Sequence, residues 1–251
     1  MNYGPASKFY DLFRSDEDVD FYKRLAVRCG GRVLELGVGT ARVALELARS
    51  GIEVWGVDAS QFMLDVAIAK LKRENGSVRR RAKFQLGDIR DFHFDKKFSL
   101  VYIPSSTYEH CVLEEDQGRC LTCVYEALEG EGLLAFDISQ RKNSSKPTWW
   151  IDRRELNQHK EAVRIIFSRT NQQTGVVSVN LFFELYHDGL LSERFHEYGE
   201  VRIFSRSDVE TLLGNHGFKV EKVYGDFNCS PPTGRYSRLI FIAKKKSEQS
   251  S

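Results

Sequence analysis

The segment Glu35-Leu36-Gly37-Val38-Gly39-Thr40-Ala41 constrains the fold most, because two glycines directly follow a short apolar run that begins at Arg32. Glycine takes backbone dihedrals closed to other residues and lets the chain approach a ligand. The run Arg32 to Leu36 reads as a strand, and Thr40 to Ser50 as a helix with Val43, Leu45 and Leu47 among its apolar positions, stopped by Gly51. A strand, a glycine turn and a helix in that order predict an α/β chain with a parallel sheet.

The pattern repeats. Glu53 to Asp58 predicts a second strand, and Ser60 caps a helix carrying Met63, Leu64, Ala67 and Leu71 that ends near Asn75-Gly76. Further strands are expected over Lys83 to Leu86, Ser99 to Ile103 and Gly132 to Asp137, with a helix over Gln117 to Leu128 before the last. From Lys142 to Ile203 the composition shifts to β-branched and aromatic residues in period-two alternation, with turn signals at Thr174-Gly175 and Asp188-Gly189, which predicts an antiparallel insertion over 142–203 after the fifth strand. Ser207-Asp208-Val209-Glu210 has capping-box spacing for a helix ended by Gly217, and strands over Lys219 to Tyr224 and Arg238 to Ala243 follow. The expected architecture is a doubly wound, mostly parallel seven-stranded α/β sheet, and 1–251 reads as one domain. The polar tail from Lys244 is expected to fray.

Charge and cysteine usage narrow the function classes. The 37 basic and 35 acidic side chains nearly cancel, so no broad positive field speaks for nucleic acid. No apolar run is long enough for a membrane span, and the start, Met1-Asn2-Tyr3-Gly4-Pro5, has no basic segment before an apolar one. Five widely spaced cysteines, an odd number, fit reduced thiols, and the chain is expected in the cytoplasm with a small-molecule partner.

In open parallel sheets ligands bind outside the carboxyl ends of the strands. Four such ends carry unusual residues. Glu35 precedes the glycine turn and can accept hydrogen bonds from a cation. Asp58, 19 residues after Gly39, is placed to accept from two ribose hydroxyls. Gly87-Asp88-Ile89 sets a carboxylate beside an apolar side chain, a pairing suited to an adenine amino group and its ring. Ile103-Pro104-Ser105-Ser106-Thr107-Tyr108-Glu109-His110 brings small hydroxyls and larger polar groups to the site mouth. A nicotinamide dinucleotide fingerprint requires a third glycine where Arg42 stands, which counts against an oxidoreductase.

These residues, with Ala59-Ser60 and Met63 after Asp58 and with Phe98-Ser99-Leu100-Val101, resemble in order and spacing the class I S-adenosylmethionine-dependent methyltransferases, over about Tyr10 to Ala243. The resemblance implies a Rossmann-like methyltransferase fold and S-adenosylmethionine as cofactor. It implies that Glu35, Gly37 and Gly39 hold the amino-acid end, Asp58 the ribose, Asp88 and Ile89 the adenine, and Pro104 the backbone near the methionyl amine, with Ala59, Met63 and Tyr10 also at the cofactor. The likeness is greatest to small-molecule enzymes, including glycine N-methyltransferases and aminosugar N,N-dimethyltransferases, which also carry a strand-rich insertion after the fifth strand. Ser106-Thr107-Tyr108-Glu109-His110-Cys111 lacks the asparagine of the glycine enzymes, and Ile103-Pro104-Ser105-Ser106 is not the Asn-Pro-Pro-aromatic motif of nucleobase and glutamine methylation. Ser106 and Thr107 are the substrate-binding candidates.

Methyl transfer from a sulfonium is an in-line displacement that needs alignment and exclusion of water more than a dedicated base. Where a proton must leave, His110, Tyr108 and Tyr10, in that order, are the candidates. His110 also reads as a helix-start residue that shapes its loop, and Tyr10 either closes over the cofactor from an N-terminal arm or packs at the sheet edge. No metal site is expected: Cys120-x-x-Cys123 lies in a helix without a second pair. Arg79-Arg80-Arg81 reads as solvated surface in a connection. Trp149-Trp150, Phe182, Phe183 and Tyr186 line a substrate pocket, or form the insertion's own core or a homodimer contact. Other readings of the chain are a cofactor sensor without catalysis and a protein or RNA methyltransferase.

Overall fold

The computed structural model describes residues 3–140, 144, 146–233 and 237–246; the first residue of the predicted insertion, Lys142, and the last five of the polar tail lie outside them. After an N-terminal 3-10 helix (Pro5–Phe13), α1 (Glu17–Cys29) leads into β1 (Val33–Leu36), α2 (Arg42–Arg49), β2 (Val54–Asp58), α3 (Gln61–Lys72), α4 (Gly76–Arg81), β3 (Ala82–Leu86) and β4 (Phe98–Ile103). A second 3-10 helix (Thr107–His110), α5 (Glu114–Ala127) and β5 (Leu128–Ser139) follow. Strands β6 (Thr148–Asn157), β7 (Lys160–Asn171), β8 (Val176–His187) and β9 (Leu190–Arg202) make the insertion, and α6 (Arg206–Asn215), β10 (Phe218–Tyr224) and β11 (Arg238–Lys245) end the chain.

Seven strands form one sheet in the order β10-β11-β5-β4-β1-β2-β3. Strands β1 to β5 are parallel, while β11 runs antiparallel to both β5 and β10. All four residues of β1 are buried because helices cover both faces. Alternation sends Val33 into a core layer with Leu25 of α1 and Val43 and Leu47 of α2, and Leu34 and Leu36 into the opposite layer with Leu121 and Val124 of α5. The order reverses at β1, whose neighbours are β2 on one side and β4 on the other. That switch point opens a crevice at the strand ends.

The insertion is a separate antiparallel sheet, β6-β7-β8-β9. The predicted turns lie where expected: Asp188 and Gly189 both have positive φ, 51° and 77°, which suits a two-residue hairpin loop. The N-terminal 3-10 helix joins this sheet to the larger one. Ala6 and Phe13 pack with Ala162, Leu181 and Phe183, while Ser7 Oγ donates to the Phe62 carbonyl at the start of α3 (3.2 Å).

Two local expectations are corrected and the open reading of the insertion's aromatics is narrowed. Asn75 does not end α3 but caps α4, accepting from the amides of Ser77 (3.0 Å) and Val78 (3.1 Å), so Arg79-Arg80-Arg81 lies in a helix rather than a connection. Ser205, not Ser207, caps α6, in a reciprocal box with Asp208; both serines precede an acid by a workable interval, and the extended backbone at Ser205 decides between them. Trp149 and Trp150 are 65% and 63% exposed and line neither cavity described below, whereas Phe183 belongs to the core between the insertion and the N-terminal helix. No helix among the described residues is long and apolar enough to cross a membrane.

Candidate active site

The glycine turn begins where β1 stops. Gly37 and Gly39 have φ of 74° and 53°, and the amides of Gly37 and Val38 both donate to the Val57 carbonyl of β2 (2.8 and 3.0 Å). A Cβ on Gly37 would come within 2.4 Å of Thr107 Cγ2, so only glycine lets the loop after β4 cross here. Asp58, at the end of β2, accepts from the Gly39 amide through Oδ2 (2.7 Å) and from the Ser60 amide through Oδ1 (2.8 Å). Burial raises its carboxyl above the ordinary range, and these two bonds partly oppose that.

A cavity of about 370 Å³ lies outside these ends, lined by Gly37, Asp58, Ala59, Asp88, Ile89, Arg90, Thr107, His110 and Cys111. Five predicted cofactor residues, Gly37, Asp58, Ala59, Asp88 and Ile89, therefore meet at one space drawn from β1, β2 and β3. Arg90 holds Asp88 (Nη2 to Oδ2, 2.6 Å) and also reaches Asp116 of α5 (3.0 Å). This guanidinium keeps the Asp88 carboxyl below its usual range.

Glu35 lies behind the turn, 2% exposed, and accepts from the Tyr102 hydroxyl (2.7 Å). Burial pushes its carboxyl up to about 8, against the lowering effects of that bond and of Arg42. Such a group is neutral at pH 7 until a cation arrives beside it.

A second cavity, also about 370 Å³, opens between the loop after β4 and the insertion. Ser105, Ser106, Glu109 and His110 line one wall, Ile166, Ser168, Val179, Leu181 and Val201 the sheet above, and Arg42, Asp18, Arg164 and Arg238 the sides. Arg42 and Asp18 form a two-point ion pair, both contacts 2.6 Å, that ties α1 to α2. Glu109 is buried and accepts from the amide and hydroxyl of Ser139.

His110 lines both cavities. Its Nδ1 lies 3.1 Å from the Glu200 carbonyl of β9. A carbonyl only accepts, so the proton sits on Nδ1 and the lone pair on Nε2. The 3-10 helix puts residues three apart on one side, which brings Thr107 and His110 to the first cavity together.

Other predicted residues do not reach the cavities. Tyr108 is 1% exposed, packed between Phe136 and Phe204, with its hydroxyl donating to the Gln117 carbonyl (3.3 Å); burial drives its phenol further up, so it is removed from the candidate bases. Tyr10 lines neither cavity: Arg14 donates to its hydroxyl and Tyr3 meets its ring edge-on at 5.2 Å. Its neighbour Asp11 makes the arm's contact with the turn, accepting from Thr40 Oγ1 (2.6 Å) and from Lys70. Met63 is buried in α3, its amide donating to Ser60 Oγ (3.2 Å), and Pro104 is buried with its carbonyl accepting from Thr107 Oγ1 (2.7 Å). Sequence reasoning missed Asp137, a carboxylate at the end of β5 directly behind Ser106; its one signal was an acid at the end of the apolar run Leu133-Leu134-Ala135-Phe136.

Comparison with known proteins agrees with this geometry. Residues 33–132 match the methyltransferase domain family. The putative methyltransferase YqeM of Bacillus subtilis (strain 168) is 29% identical over 216 residues, 86% of this chain and 84% of that protein. The CcbJ methyltransferase from Streptomyces caelestis superposes with a TM-score of 0.82 at 20% identity, covering 98% of this chain and 100% of that one. CalS10, an amino pentose methyltransferase from Micromonospora echinaspora solved with S-adenosylmethionine bound, gives 0.72 at 18% identity and 98% of each chain.

Proposed function

We propose that this chain acts as an S-adenosylmethionine-dependent methyltransferase that methylates an amine of a small molecule held under the insertion, with His110 taking up the proton. The observation that carries the reading is that His110 borders both cavities.

The residues at the first cavity fit the cofactor. Its volume lies within the range of roughly 300–1,000 Å³ usual for small-molecule sites. Asp58 offers acceptor oxygens for ribose hydroxyls, Asp88 and Ile89 a polar edge and an apolar cover for adenine, and buried Glu35 a carboxyl whose ionised form an ammonium would favour. Bound there, S-adenosylmethionine supplies an electrophilic methyl on a sulfonium leaving group. The chain's part is to orient and to dry the site. Ser106 and the buried Glu109 supply acceptor oxygens for an amine, and Ile166, Val179, Leu181 and Val201 give the cavity an apolar wall. Nε2 of His110 receives the proton that the amine must lose.

Asp18 is already paired with Arg42, so the preference for an amine over a hydroxyl rests on the buried Glu109 carboxyl at the cavity wall, and CalS10, an amino pentose methyltransferase, lends support. In the same reading 1–251 is one domain capped by 142–203. Five free cysteines favour the cytoplasm, and the exposed Trp149, Trp150 and Ile151 of edge strand β6 favour a homodimer contact. The test is a panel of aminosugars, amino acids, small amines and hydroxylated metabolites incubated with S-adenosylmethionine, followed by mass spectrometry for added methyl. Methylation of amines that falls with His110→Gln supports the proposal; methylation confined to hydroxyls, or unchanged in the variant, rejects it.

A further inference from the structure

We infer that Asp137 is a positioning residue for the acceptor cavity: it holds the Ser105–Ser106 bend and Arg238 in place against that cavity's wall. Asp137 is 0% exposed, yet its carboxylate serves three elements. Oδ2 accepts from the Ser106 amide (3.1 Å), the Ser106 hydroxyl (3.0 Å) and Arg238 Nη1 (2.8 Å), and Oδ1 accepts from the Tyr22 hydroxyl of α1 (3.2 Å).

The bend needs such a hold. Ser105 and Ser106 have φ of 61° and 58°, consecutive left-handed residues without glycine. That conformation persists only where surrounding contacts impose it. The amide and hydroxyl of Ser106 both end on one carboxylate oxygen, so the contact fixes the backbone and the side chain together. Ser105, Ser106 and Arg238 all line the acceptor cavity, whereas none lines the cofactor cavity. Asp137 thus sets the shape and polarity of one wall without touching its contents. The same bend carries the chain into the 3-10 helix that aims His110, so its geometry reaches the proposed proton acceptor as well.

An asparagine in its place keeps the size but removes the charge: with its oxygen toward Ser106 and Arg238 and its amide toward the Tyr22 hydroxyl, which can also accept, it keeps only weaker neutral hydrogen bonds to Ser106 and leaves Arg238 without its counter-charge. The test follows amide hydrogen exchange by NMR in the purified full chain. Asp137→Asn is expected to speed exchange at residues 105–107 about tenfold or more, the loss of a charge-assisted hydrogen bond, while the amides of β1 and β2 and the affinity for S-adenosylhomocysteine hold within about twofold. Tyr22→Phe, which removes the bond on the other oxygen, leaves residues 105–107 protected. Ser106→Gly adopts the left-handed backbone without cost, and in that background Asp137→Asn loses the share of its thermal destabilisation owed to the Ser106 hydroxyl and the strained bend, while the share owed to Arg238 and Tyr22 stays. Ser106→Ala, which leaves Tyr22 and Arg238 on the carboxylate, gives a smaller local increase and serves if Asp137→Asn does not fold. Unchanged exchange at 105–107, uniform loosening of all strands, or full additivity with Ser106→Gly each overturns the inference. The inference rests on the proposed acceptor cavity for its consequence alone: these readouts need no acceptor, so they fail or succeed independently of the amine panel.

Discussion

Replacing Glu35 by Gln should remove a pH dependence of stability that the wild type carries. The native carboxyl is pushed up to about 8 by burial, against an ordinary value of 4.5. Below pH 4.5 both folded and unfolded chains hold the proton and the group contributes nothing. Between 4.5 and 8 the unfolded chain releases it while the native chain keeps it, so stability falls as pH rises; above 8 the loss is complete and the slope ends. Each tenfold change in proton affinity is worth about 1.4 kcal/mol, which puts the loss on the order of 5 kcal/mol. Gln keeps an oxygen for the Tyr102 hydroxyl and carries no charge to desolvate. Urea unfolding at intervals from pH 5 to pH 9 should therefore show a smaller decline for Glu35→Gln than for wild type, with the gap widest near pH 9. Binding of the ammonium of an amino-acid tail beside Glu35 should also expel nearly one proton near pH 7, seen as a calorimetric enthalpy that depends on buffer ionisation in wild type and not in the variant. Parallel stability curves for the two proteins would refute the reasoning.

Turnover by His110→Gln should fall by about 10²- to 10⁴-fold on a protonated amine, with cofactor affinity changed much less, read from initial rates and calorimetry. Ser60→Ala should cost about 1 kcal/mol in denaturant unfolding through loss of the α3 cap, where Ser60 Oγ accepts from the Met63 amide at 3.2 Å. Trp149→Ala and Trp150→Ala should each leave methyl transfer within about twofold of wild type, because both side chains are exposed and away from the cavities.

The succession of strands and helices, and the convergence of Gly37, Asp58 and Asp88 on one cavity, were legible in the sequence because each signal was local. A glycine turn, an acid 19 residues on, and an acid after the third strand all report on strand ends, and a parallel sheet brings strand ends together. Tyr108 was not legible, since Ser105 and Ser106 reverse the usual backbone hand and the 3-10 helix then turns Thr107 and His110 outward and Tyr108 inward. Nor was Asp137, whose partners Tyr22, Ser106 and Arg238 lie 115, 31 and 101 residues away. Between the two readings of Tyr10 the sequence could not choose, for a similar reason: the residue beside it, Asp11, pairs with Thr40 and Lys70, and that fixes which side of the arm faces the turn.

Calorimetric titration with S-adenosylmethionine, wild type against Asp58→Ala at fixed pH and salt, tests the central claim most directly. The account predicts micromolar binding at one site per chain, weakened at least about tenfold when the carboxylate at the end of β2 is removed. Absence of binding to the wild type, or equal affinity in the variant with the fold intact, would contradict it.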